Sequence, residues 1–240
     1  GSAIDATEIV YFADDDNSTL YVGVKGQLDV SNSNGIGLML NFQALSGTSA
    51  GTDLATSGGG HYTSSTVRAD FEVDYMFAMN PGSGSSNVFY DGSSDQSGTS
   101  TTNENSDFFD TGSVTLAFNN GGGADQGFEM SIPYAQLGAS GVSEVGAMEA
   151  FAFVVSNTGF YSDVTVPGNV TGGNLGSSPN FNTLSGGPYH GSKSFTTAGS
   201  GDWTTTGTWT NSTVPFNGAD VEVSNDVTLN TDATVHDLTI

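Results

Sequence analysis

The chain has no cysteine, only three basic side chains (Lys25, Arg68 and Lys193), and no tryptophan apart from Trp203 and Trp209. Each shortage excludes something. Without cysteine there is no disulfide framework, no thiolate nucleophile and no thiolate metal ligand, so stability has to come from a packed core. A chain of 240 residues supplies that core unaided, because burial rises with size to roughly 70% of the unfolded surface. With so few cations there is no patch to neutralise phosphates, which excludes nucleic acid and anionic membrane surfaces as partners. No apolar run approaches the roughly 20 residues of a membrane span.

Acid is plentiful. Asp and Glu total 26, and the formal net charge is −23. Such a surface repels itself unless salt or divalent cations screen it, which points to a secreted, extracellular or cell-surface setting. Gly, Ser, Thr, Asn and Asp fill most of the remainder, the supply that short strands joined by tight turns require. The chain opens on Gly1-Ser2 without a signal peptide, which reads as a cloning scar or a processed N-terminus.

Period-two alternation recurs and helical periodicity is nearly absent, so the predicted fold class is all-β. Strands are expected at Glu8–Phe12, around Leu20, Val22 and Val24, over Ile36–Phe42, and at Val114–Phe118, Phe128–Ile132 and Met148–Ser156. From Val67 to Phe77 one continuous strand is expected, with Val67, Ala69, Phe71, Val73, Tyr75 and Phe77 buried and Arg68, Asp70, Glu72 and Asp74 wet. In Met148–Ser156 both faces are apolar, as in a central strand covered on two sides. The polar stretches Ala44–Thr66 and Asn80–Gly112 read as long loops, where binding surfaces concentrate. A composition shift after Val166 separates a sandwich over 1–185, a linker over 186–200 and a strand segment over 201–240. That last segment carries Val221, Val223, Val227, Leu229, Leu238 and Ile240, and ends on apolar residues as a cut strand would.

The stretch Phe128-Glu129-Met130-Ser131-Ile132-Pro133-Tyr134-Ala135-Gln136-Leu137-Gly138 resembles the signature of family 9 carbohydrate-binding modules and related DOMON-like sandwiches. Ile4-Asp5, Tyr11 to Asp16, Leu20 to Val24 and Ala69 to Tyr75 fall in the same order, so the resemblance covers about Ala3 to Pro179. It implies a jelly-roll-like antiparallel two-sheet β-sandwich attached to extracellular enzymes or surface proteins. Sugar binding in that family relies on stacked rings, notably tryptophans, and the sandwich region has none. Tyr62, Phe89, Tyr90, Phe160 and Tyr161 are the substitute rings, with Phe108 and Phe109 beside them. From Gly201, the pieces Gly201-Asp202-Trp203, Gly207-Thr208-Trp209, Pro215 and Asp220 to Leu229 resemble the opening repeat of Bacteroidetes-type β-rich surface proteins.

Catalysis has no signature. Acids are too numerous for any pair to stand out as a glycosidase couple, His61, His190 and His236 are isolated, and no serine sits in a nucleophile elbow. The expectation is therefore a non-enzymatic protein. For metal, Asp14, Asp15, Asp16 and Asn17 offer the hard oxygens that calcium takes, competing with a solvated Asx turn. The expected role is structural or adhesive, with self-association into filaments through strand pairing in the 201–240 segment. The alternative is a carbohydrate-binding module with a polysaccharide partner.

Overall fold

The computed structural model describes residues 5–27, 34–42, 45–54, 66–79, 94–95, 115–119, 127–156, 159–168, 173–182, 187–210 and 213–240. They form an all-β fold built on two antiparallel sheets. The first sheet runs in the order β1 (Asp5–Asp14), β2 (Thr19–Gln27), β8 (Gly127–Pro133) and β7 (Thr115–Asn119). The second is assembled around β9 (Ala147–Val155), which pairs along its length with β3 (Gly35–Phe42). β5 (Tyr75–Met79) and the short β6 (Ser94–Asp95) follow beyond β3. The other edge of β9 is shared, with β10 (Tyr161–Val166) against Ala152–Val155 and β13 (Tyr189–Ser192) against Ala147–Ala150. β11 (Asn174–Gly176) closes that side against β10.

Alternation decides which side chains enter which layer. Leu20, Val22 and Val24 of β2, with Met130 and Ile132 of β8, meet Leu38, Leu40, Ala150, Ala152 and Val154 of the second sheet in the inter-sheet core. The opposite face of β9 presents Phe151, Phe153 and Val155 to a second core. Val67, Ala69, Phe71, Val73 and Phe181 cover it, carried by a parallel pair of β4 (Arg68–Ala69) and β12 (Asn180–Phe181). β9 is thus the doubly covered central strand its composition predicts.

The single strand expected over 67–77 is broken. Burial alternates through Val73, but the chain turns at Asp74, which is buried rather than wet. Its Oδ2 accepts the backbone N–H of Phe42 at 2.7 Å, so the residue that alternation assigns to solvent serves a neighbouring strand. The turn sends Val67 to Val73 into the outer core and Tyr75 and Phe77 into the inner one. β8 runs into a 3-10 turn over Tyr134–Leu137, closed by Gly138 at φ 70°. Glycine takes that left-handed conformation without strain.

The C-terminal segment departs from the antiparallel pattern. β14 (Ser194–Thr196), β16 (Asp220–Glu222) and β18 (Asp237–Thr239) form a parallel sheet in that order, and β15 (Gly201–Asp202) with β17 (Val227–Thr228) forms a second. Successive strands therefore return to the same position one level further on, as turns of a coil. Phe195, Trp203, Trp209, Ala219 and Val221 make its interior core. Residues 186–200 hold β13 and β14, and the parallel stack begins at Ser194.

Candidate functional site

The acidic cluster Asp14–Asn17 is the turn joining β1 to β2. Both oxygens of the Asp14 carboxylate are engaged by Asn17, Oδ1 by its backbone N–H at 3.2 Å and Oδ2 by its side-chain amide at 2.8 Å. These bonds from Asn17 hold the Asp14 carboxyl below the usual carboxylate range. Asp15 points elsewhere and pairs with Lys193. Among the described residues, no three His, Asp or Glu side chains gather as a metal site would need. The local geometry is that of an Asx turn with one acid diverted to a distant lysine.

Of the five candidate rings, Tyr62, Phe89 and Tyr90 lie outside the described residues. The other two are split. Phe160 is 49% exposed, whereas Tyr161 is 1% exposed and packs against Phe153 and Phe181. Both border one cleft, but the Tyr161 ring is spent on the core, so only Phe160 offers an exposed face. Phe160 borders a cleft of about 390 Å³ with Asn34, Ser156, Ser162, Asp163 and Asn174. Asp163 and Ser162 are partly spent on local turns, accepting from the N–H groups of Gly173 at 2.9 Å and Val164 at 3.1 Å. The two tryptophans are not surface rings either. Trp203 and Trp209 meet edge to face at 4.9 Å inside the stack, and the Trp209 indole donates to the Trp203 carbonyl at 2.9 Å.

The stack is fixed to the sandwich by Lys193. Its side chain pairs with Asp15 at the β1–β2 turn, its backbone N–H donates to Gly146 O at 2.8 Å, and its carbonyl accepts from Asp220 at 3.2 Å. One residue thereby joins the β1–β2 turn, the residue that precedes β9 and the second level of the stack. Beside it, the His190 and His236 rings stack at 5.5 Å, and His236 Nδ1 lies 2.8 Å from Asp220. Sequence reasoning passed over this seam. Its one signal is scarcity: all three cations, Lys25, Arg68 and Lys193, are in ion pairs, with Glu8, Asp53 and Asp15.

The two ends of the stack differ. At the front, an antiparallel segment meets the end of β14, where Thr210 N–H bonds to Thr196 O at 3.0 Å and Ala198 N–H to Thr208 O at 2.8 Å. Thr197 bridges Trp209 between them. At the back, β18 pairs with β16 and, among the described residues, with no further strand. One apolar column runs through the levels in register, from Phe195 to Val221 to Leu238. Its exposure rises from 0% to 3% to 47%, and Ile240 beyond it is 92% exposed. Leu229, at the end of β17, is 61% exposed on the same coil. Comparison with protein-family models, with curated proteins and with solved structures finds no match for this chain.

Proposed function

We propose that this is a non-catalytic, extracellular structural or adhesive protein, in which the sandwich is the body and the parallel stack is the joint to a neighbour. The observation that supports this reading is the outer edge of β18, which among the described residues pairs with no further strand and carries Leu238 47% exposed. An unpaired strand is a template for pairing, and fully burying a side chain of this size contributes roughly 1.5–3 kcal/mol. The net charge of −23 opposes casual contact, so association needs the direction that backbone pairing supplies.

The capped front narrows the assembly. An open fibre needs two complementary ends, and here the front edge is bonded to Thr208 and Thr210 at Thr196 and Ala198, at the C-terminal end of β14. Two copies of the chain that meet through this edge would pair β18 to β18 in a two-fold contact. Light scattering at high concentration and high salt should show reversible pairing and no larger species, lost in the doubly substituted Leu238→Asp, Ile240→Asp chain. A chain that stays monomeric there, with residues 194–240 exchanging their amides as an unfolded segment does, would sink the reading.

The carbohydrate-binding alternative has one observation in its favour, the half-exposed Phe160 beside Asn34, Asp163 and Asn174. A single ring offers one stacking face, so only weak binding to soluble oligosaccharides is expected. Micromolar binding by calorimetry that Phe160→Ala abolishes would favour this alternative over the structural one.

A further inference from the structure

At the seam between sandwich and stack we propose that Lys193 and Asp15 condense with each other, forming an amide between the lysine Nζ and the aspartate Cγ. The bond would tie the residue after β13 to the turn after β1. It goes beyond the reading of the stack as a joint and stands or falls independently of it. Three observations carry it. Lys193 Nζ is hydrogen-bonded to Asp15 Oδ2, and an amine so placed lies near the roughly 3–3.5 Å from which attack on the carbon begins. The pair is shielded, with side-chain exposures of 18% and 25%, whereas the Lys25–Glu8 pair is 46% and 56% exposed. Two polar atoms of this region, Asp15 Oδ1 and the Tyr134 hydroxyl, are buried and unpartnered among the described residues. One is an acceptor without a donor and the other a donor without an acceptor, which an ordinary structural ion pair leaves unexplained. Tyr134 is set against the same turn, because its backbone N–H donates to Ser18 O at 2.9 Å.

The atoms balance within the pair. An ammonium and a carboxylate together hold one amide and one water: the C–N bond forms, one C–O bond breaks, and two ammonium protons leave on the departing oxygen. Nothing is oxidised or reduced, and no co-reactant is needed. Between free ions in water the equilibrium lies with the separate acid and amine. Here the fold holds the two groups together, and well-oriented partners reach effective molarities of about 10⁵–10⁸ M. Shielding also keeps back the water that would reverse the step. The Tyr134 O–H is the donor available to the oxygen on which charge develops during attack. Burial, with Asp15 and Asp14 nearby, pushes that phenol above the ordinary tyrosine range and so keeps its proton in place. Tyr11 cannot serve, since its hydroxyl already donates to Val145 O. In a chain without cysteine, the amide would close a loop between residues 178 apart in sequence and constrain the unfolded state as a cross-link does.

The test is the mass of the full chain, purified folded and then denatured. The parent should be lighter than its sequence by one water molecule. After boiling in detergent it should migrate faster than Lys193→Arg, and digestion should release a branched peptide joining Asp15 to Lys193. Lys193→Arg keeps the ion pair, but its guanidinium holds its proton and cannot attack, so that variant should show the full mass. Tyr134→Phe should fold, by its circular dichroism, and also keep the full mass; water lost there as readily as in the parent would overturn the donor role of Tyr134. A folded parent of full mass, with Asp15 and Lys193 in separate linear peptides, would overturn the proposal and leave the seam an ion pair. One water lost without the branched peptide would overturn it as well, assigning the loss to ring closure at another aspartate.

Discussion

A buried hydroxyl and a turn carboxylate show how individual residues are committed. The Tyr11 hydroxyl donates to Val145 O at 2.8 Å across the body of the sandwich. Burial, with Tyr134 and Asp15 nearby, pushes its phenol well above the ordinary tyrosine range. The folded state thus favours the neutral ring. Its contribution is complete below the unfolded tyrosine value of about 10 and is lost as pH rises through the folded one. Tyr11→Phe should cost about 1 kcal/mol at neutral pH by leaving Val145 O without its donor, and should weaken the loss of stability above about pH 10. Chemical denaturation at neutral and alkaline pH checks both. At the β1–β2 turn, Asn17 occupies Asp14 and Lys193 occupies Asp15. Calcium and sodium chloride at matched ionic strength should therefore raise the melting temperature alike, by screening. A distinctly larger shift with calcium would identify a bound ion.

Strands are held by what their neighbours lack as much as by what they carry. In β3, Gly37 lies opposite Phe153 of β9, and a Cβ there would sit 2.1 Å from the Phe153 ring. The ring fills the space that a side chain would take and packs on into the Phe151, Tyr161 and Phe181 group. Gly37→Ala should displace it, costing roughly 1–3 kcal/mol as overpacking does, with the loss read in the urea midpoint. The outer core should be the part that loosens, which hydrogen exchange at Phe181 would report. The same logic explains the break at Asp74. Alternation alone treats that carboxylate as solvated, while the Phe42 N–H at 2.7 Å gives it a partner inside.

At the scale of the whole molecule, the sandwich and the stack meet at Lys193. The pair with Asp15 is mostly shielded, at 18% and 25% side-chain exposure. Truncating the lysine leaves a half-buried carboxylate without its cation. Lys193→Met is expected to cost roughly 1.5–3 kcal/mol, the range for a hydrogen bond to a charged group. The clearer sign would be calorimetric: one joint unfolding transition in the parent, separating into a stack transition and a sandwich transition in the variant. Retention of a single transition at the parent temperature would show that the seam is held by Gly146 and Phe216 packing instead, since a Cβ on Gly146 would lie 2.2 Å from that ring.

Composition and period-two alternation were enough to establish an all-β chain, the two-faced burial of β9 and the apolar character of Val221 and Leu238, because those properties follow from local pattern and strand geometry. The turn role open to Asp14–Asn17 was legible too, since an Asx turn is a short-range bond. Strand direction was not. Parallel and antiparallel pairing draw on the same alternation, so nothing within Asp220–Thr239 distinguishes a parallel coil from a hairpin partner. Nor could the pattern foresee Asp74 turned inward, Tyr161 set in the core while Phe160 stays outside, or Lys193 reaching back to Asp15. These depend on contacts between residues far apart in the chain, and only the packed structure brings such partners within bonding distance.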